Sequence, residues 1–324
     1  MATAAPDRYD MPANSFDSNE WALILGGSSG FGLATAHKLS AGGLNLCVVH
    51  RDRRGAMSRI EPEFEAIRAR GVRFLSFNAD ALRAETRAEI LDTLAAETGE
   101  GRVRVLLHSI AFGNLKLVAP ERRPSGEAGD RLAARLGIDR TRLVEAADEL
   151  LEEGVDGLLG VAGAPEYSAA LLEEEDMART VHAMGTSLLS WTQDLHSRGL
   201  FASDARVFGM TSEGNQISWK GYAAVAAAKV ALESVSRSIA VEMAHLGIRS
   251  NIIQAGVTDT PALRLIPGSA HLKAQARARN PFGRLTTPQD VADVIYLLSL
   301  PEAAWVNGAI IRVDGGEHVS GLTR

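Results

Sequence analysis

A phenol and an amine, Tyr222 and Lys229, stand seven residues apart in the alanine-rich run 221–245. At about 100° per residue, seven steps return to nearly the same face of a helix, so both side chains can reach one bound molecule. Such a pair can donate a proton to an oxygen that gains negative charge, in a field strengthened by the ammonium. Each also has a structural reading, Tyr222 as an aromatic opening the helix and packed on a sheet, Lys229 as a solvated lysine. A charge in so apolar a run favours function. A second constellation, Gly26-Gly27-Ser28-Ser29-Gly30-Phe31-Gly32, directly follows the apolar run 21–25 and opens a helical pattern. Glycines there let the main chain turn sharply and let a pyrophosphate approach the free amides of a helix N-terminus. An ordinary strand-to-helix turn is the alternative, and the position in the first strand–helix unit favours a dinucleotide.

These groups need a scaffold, and the apolar periodicity describes one. Runs at 21–25, 46–49, 72–77, 103–107, 206–210, 250–253 and 309–313 read as strands. Stretches at 30–42, 84–97, 177–198, 221–245 and 287–299 carry apolar residues three and four apart and read as helices. Their alternation predicts βαβ units and an α/β, Rossmann-like, doubly wound parallel sheet of about seven strands. A single domain is expected over 21–321, after an N-terminal tail at 1–20. Residues 114–176 separate the fourth strand from the next long helix by more than an ordinary connection. Apolar spacing within 129–154 predicts a helical insertion there, approached by a proline-rich surface linker at 120–126.

With 324 residues and 46% hydrophobic content, the chain can bury a full core, near the upper size of one α/β domain. The net charge of -6 and the absence of a Lys/Arg tract give no reason to expect a nucleic-acid partner. No apolar stretch reaches membrane-spanning length and no apolar signal core precedes residue 21, so a cytoplasmic protein is expected. The single cysteine, Cys47, lies in an apolar run and reads as a buried thiol. His108 reads first as a strand-end or pocket residue, and His182 as packing or surface. No His/Cys/Asp/Glu group has ligand spacing, so no metal is expected.

The spacing of Gly26, Gly30 and Gly32 resembles the short-chain dehydrogenase/reductase family, and the resemblance covers nearly all of 21–321. It implies that Gly26, Ser28, Ser29, Gly30, Phe31 and Gly32 cradle a nicotinamide dinucleotide. In that family an acidic residue closing the second strand favours NAD, and a basic residue one place later favours NADP. Here His50 and Arg51 occupy those places, and a guanidinium suits a 2′-phosphate. NADP(H) is therefore favoured and NAD(H) remains possible, with a solvated Arg-Asp-Arg-Arg turn as the alternative. Asp80 matches the position that contacts adenine, or else caps the next helix. Gly256 through Thr260, with Thr258, resembles the segment holding the nicotinamide carboxamide and pyrophosphate; Thr260 is a hydroxyl donor there or a helix cap.

The common family pattern is a Tyr four residues before the Lys, with a Ser on the preceding strand. Val225 holds that place, and valine moves no proton. The seven-residue spacing of Tyr222 and Lys229 resembles the family's divergent branch, the enoyl-acyl-carrier-protein reductases. Two further segments agree. His108-Ser109-Ile110-Ala111-Phe112 stands where ordinary members carry Asn-Asn-Ala-Gly, and Gly256 to Leu263 with Ile266-Pro267-Gly268 is similar to the substrate loop of the NADPH-dependent subclass. The resemblance implies reduction of an enoyl thioester on acyl carrier protein or coenzyme A. Tyr222 would then bind the enolate oxygen and Lys229 the nicotinamide ribose. Ser109, Ile110 and Ala111 would line the cofactor cleft. Phe112 would contact the substrate, and Trp219, Leu263 and Ile266, with Leu265, would line an acyl channel or belong to the core. Ser212 stands where the best-known branch members carry a second Tyr and ordinary members their Ser, so a carbonyl reductase or alcohol dehydrogenase is the alternative. A catalytically inactive NADP-binding regulator is a third reading. The insertion is absent from both groups and is expected to cap the acyl pocket or dock the carrier through Arg122, Arg123, Arg135 and Arg140. The alanine-rich helix suits face-to-face packing, as in the family's tetramers, so a dimer or tetramer is expected.

Overall fold

The computed structural model describes residues 15–121 and 127–321. Seven strands, β1 (Glu20–Leu25), β2 (Asn45–His50), β3 (Phe74–Asn78), β4 (Arg102–His108), β5 (Phe201–Ser212), β6 (Ile248–Ala255) and β7 (Ile310–Val313), form one sheet in the order β3-β2-β1-β4-β5-β6-β7. Every pairing is parallel. A parallel sheet is covered on both faces, which is why its central strands read as unbroken apolar runs. Ala22 and Ile24 of β1 point to one core, while Trp21, Leu23 and Leu25 point to the other. The first core is closed by α1 (Gly30–Ala41), α2 (Met57–Arg68) and α10 (Pro288–Ser299). The second is closed by α3 (Ala84–Thr98), α7 (Ser187–Ser197) and α8 (Ala223–Glu242). Strand order reverses between β1 and β4, and a doubly wound sheet opens its ligand crevice at the carboxyl ends of such a pair.

Several elements differ from the periodicity. The stretch 177–198 is two helices, α6 (Glu174–Val181) and α7, joined by a π-helical turn at His182–Thr186. The insertion also holds two helices, α4 (Glu127–Leu136) and α5 (Arg140–Glu152), because Asp139 starts a new helix by accepting from the Thr141 and Arg142 amides. Two helices carried no clear signal. α2 buries only Ile60, Phe64 and Ile67 and contains Pro62, and α9 (Ser269–Arg279) buries only Ala274 and Ala276. Of the tail, Phe16 packs edge-on against Tyr296 of α10; residues 1–14 lie outside the described residues. Cys47 is fully buried, and burial pushes its thiol far above the ordinary range. Among the described residues no helix is long and apolar enough to cross a membrane.

The insertion leans on α9. Arg277 donates to both carboxylate oxygens of Asp156, at 2.7 and 2.5 Å, and Lys273 meets Glu152 at 3.5 Å. Among the described residues the helices α4 and α5 contribute no wall to the pocket that holds Tyr222, and of the insertion only Leu115 does. The described part of the insertion, expected to cap the acyl pocket or dock the carrier, packs on α9. Arg140 pairs with Asp130, while Arg122 and Arg123 lie outside the described residues.

Candidate active site

The loop after β1 is built so closely that side chains are excluded. Gly26 has φ +86°, and a Cβ on it would stand 2.5 Å from the Ser109 carbonyl oxygen; a Cβ on Gly32 would overlap the Gly26 carbonyl. The result is a main-chain cradle at the N-terminus of α1, the geometry and dipole that suit a pyrophosphate. A dinucleotide therefore fits the residues present. The cradle opens into two adjoining clefts that share Phe31, Ser109, Ile110, Ala111, Thr260, Ala262 and Leu265.

The first cleft gathers Gly26, Ser28, Ser29 and Gly30 with His50, Arg51 and Asp80. His50 is buried, with its ring nitrogen 2.9 Å from Asp52, a carboxylate that also lines this cleft. Arg51 donates to Asp80 at 3.1 Å and lies over the Phe112 ring, 4.6 Å from its centre. The other Asp80 oxygen accepts from the Leu82 amide, so Asp80 caps a turn and anchors Arg51 without capping α3. Phe112, expected among the acyl contacts, stands instead in this first cleft beneath the guanidinium. The main chain after β4 turns its ring that way, and the pocket lining passes from Ala111 to Gly113 without it.

The second cleft brings together Ser212, Tyr222 and Lys229 with Gly256, Thr258, Thr260, Trp219, Leu263 and Ile266. Its remaining wall is largely apolar, including Met184, Val225 and Leu272. Tyr222 is the N-cap of α8 and stands just before its first turn, where its carbonyl accepts from Ala226 at 2.8 Å. The phenol oxygen is 3.4 Å from Ser212 Oγ. Burial raises its pKa, with Ser212 opposing, so the phenol remains protonated. Lys229 is buried one helical stretch further on and donates to the Met210 carbonyl at 2.7 Å. Desolvation lowers its pKa to about 8, with Glu233 one turn later pulling it upward. Glu233 is itself buried and accepts from Thr211 and Asn215, each at 2.6 Å. Thr260 both lines the cleft and caps the following turn, accepting from the Leu263 amide.

His108 is neutral: burial lowers its pKa to about 3, and its Nε2 lies 2.8 Å from Ser187 Oγ. It supports β4 and takes no place in the pocket lining. Periodicity and motif missed a charged cluster behind the cleft, made by Glu213, Arg279 and Glu317. Only the rarity of buried charge marks these residues, and burial is invisible in the chain alone.

The family model described as Enoyl-(Acyl carrier protein) reductase matches residues 138–318. Cis-4-hydroxycyclohexanecarboxylate dehydrogenase of Sinomonas cyclohexanicum is 29% identical over 295 residues, covering 91% of this chain and 95% of that one. Enoyl-[acyl-carrier-protein] reductase [NADH] of Streptomyces avermitilis is 32% identical over 261 residues, covering 76% of this chain but only 62% of that protein. A short chain dehydrogenase from Burkholderia cenocepacia, solved in complex with NADP, superposes with a TM-score of 0.67 at 21% identity, covering 93% of this chain and 98% of that one. With its seven-stranded parallel sheet, glycine cradle and family match, the chain belongs to the short-chain dehydrogenase/reductase superfamily of NAD(P)-dependent oxidoreductases, among relatives that include enoyl reductases.

Proposed function

We propose that this protein reduces the C2–C3 double bond of enoyl thioesters with NADPH, the acyl group being carried on acyl carrier protein or coenzyme A. The observation that carries this reading is Tyr222 seven residues before Lys229 in one apolar pocket, with Val225 on the wall where a closer tyrosine would stand. A reduced nicotinamide bound in the cradle would supply a hydride for C3. The double-bond electrons then move toward the thioester, and the negative charge collects on its oxygen, two carbons beyond the atom that gained hydrogen. In a ketone the charge collects on the atom next to it. A donor displaced by about one helical turn matches the longer reach.

Tyr222 donates to that oxygen, and one well-placed donor to a developing enolate contributes about 2.7–4 kcal/mol. Lys229 holds the ribose hydroxyls, and its ammonium strengthens the same field. The C2 proton comes from Tyr222 or from solvent. Leu263, Ile266, Met184 and Trp219 offer the acyl chain an apolar wall. Arg51 is the cation placed to meet a 2′-phosphate; Asp80 already shares it, which makes the preference over NAD(H) modest. A dimer or tetramer packed through α8 belongs to the same reading, since that helix leaves Val230 and Val241 exposed.

The 3.4 Å contact of Ser212 with Tyr222 favours a second reading, because that pair suits a carbonyl oxygen. Incubation with NADPH and crotonyl thioester, beside NADPH with a panel of ketones and NADP+ with a panel of cyclic hydroxy acids, separates the two. Turnover of the thioester is expected. Turnover of ketones or alcohols alone overturns the first reading and selects the second, and a chain inert in both panels that still binds NADPH is the inactive regulator.

A further inference from the structure

Gly256, Val257, Thr258 and Thr260 line the pocket with Tyr222 and Lys229, and the main chain of the first two is held from behind. The Val257 amide donates to one oxygen of Glu317 at 3.2 Å. Gly256 lies so close to that carboxylate that an added Cβ would be 2.9 Å from the same oxygen. The other Glu317 oxygen accepts from Arg279 at 3.0 Å. The same guanidinium donates to Glu213 at 2.6 and 3.3 Å. Glu213 directly follows Ser212 and lines the pocket, while Arg279 ends α9, whose Leu272 lines it too. One cation thus ties together three segments of the site that are distant in the chain. Glu317 is 1% exposed and Glu213 9%, and carboxylates so buried need a partner of opposite charge.

We propose that Arg279 is a positioning residue, whose guanidinium, shared by Glu213 and Glu317, sets the Gly256–Val257 main chain and the end of β5 for the nicotinamide end of the cofactor. The inference rests on the reading that 256–260 receives that end of the dinucleotide. The charged groups facing Glu317 are Arg279 from α9, Glu213 from the end of β5 and Asp314 from the end of β7. Burial and then Glu213 push its pKa up to about 7, with Arg279 opposing. Ionised, both its oxygens accept, one from Val257 and one from Arg279. Below about 7 a proton on either oxygen competes with those donors, so nucleotide binding weakens as pH falls. Without Arg279, protonation moves to higher pH and the weakening extends above neutrality.

The test is the dissociation constant of the full chain for NADPH and for NADH, by nucleotide fluorescence between pH 6 and 9, with thermal unfolding of each variant alongside. Arg279→Met should weaken NADPH binding about tenfold at neutral pH, the scale of one lost charged hydrogen bond. Arg279→Lys should recover part of that loss. Glu317→Gln, which keeps an acceptor for Val257, should abolish the pH dependence below neutrality. Should Arg279→Met fail to unfold cooperatively, the Lys and Gln variants decide. Wild-type affinity and pH profile in Arg279→Met, or a pH profile unchanged in Glu317→Gln, overturns the proposal alone. A wild-type chain that binds neither NADPH nor NADH overturns the cofactor reading beneath it as well.

Discussion

Replacing Lys229 by methionine should stabilise the fold near neutral pH while abolishing activity, and the stability change should reverse sign in alkali. The amine is buried, and desolvation lowers its pKa from 10.5 to about 8. By linkage, keeping that ammonium in the fold at pH 7 costs roughly 3 kcal/mol relative to the unfolded chain. Methionine is unbranched and uncharged, so the variant escapes this cost. It leaves the Met210 carbonyl without its donor, a loss of about 1–3 kcal/mol. Glu233 keeps its hydrogen bonds from Thr211 and Asn215 and is not stranded. The net at pH 7 is a stabilisation of roughly 0–2 kcal/mol. From about pH 8 to 10.5 the folded wild type sheds its proton while the unfolded chain keeps one, so wild-type stability from this group rises with pH. In alkali only the lost hydrogen bond remains, and the variant becomes the weaker by about 1–3 kcal/mol. Urea unfolding of both chains near neutral pH and in alkali measures the gap, provided the slopes match. A variant less stable at neutral pH, or a gap that does not change with pH, refutes the reasoning.

Tyr222→Phe should lower kcat on crotonyl thioester by about 10²–10³-fold with NADPH affinity unchanged, whereas Ser212→Ala should cost ketone turnover more than thioester turnover. Gly26→Ala forces a methyl against the Ser109 carbonyl at φ +86°, so nucleotide titration should show no binding by a chain whose far-ultraviolet dichroism still reports the sheet. Arg51→Ala should reduce the ratio of NADPH to NADH affinity, and Asp80→Asn, which frees the guanidinium, should raise it; an unchanged ratio in both removes Arg51 from 2′-phosphate recognition. Asp156→Ala cuts the insertion from Arg277, and should raise KM for the acyl substrate while leaving NADPH affinity as it was. Equal KM values would make the insertion a bystander to α9.

The seven strands, the cradle after β1 and the pair Tyr222/Lys229 were legible in the chain because each is a local property. Period-two and unbroken apolar runs, glycine spacing and a seven-residue interval are carried by neighbours in sequence. Helices α2 and α9 were not legible, since each buries two or three residues and owes its place to partners elsewhere. Phe112 was assigned to the acyl wall, because nothing in its neighbours shows that its ring lies under Arg51. The cluster of Glu213, Arg279 and Glu317 spans 66 and 38 residues of chain, and no local pattern announces a contact of that range. Local sequence thus determined the strands, the cradle and the residue types brought to the cleft. Topology decided which charges meet, how dry they are and therefore how they titrate, because the cost of burying a charge exists only once distant segments have closed over it.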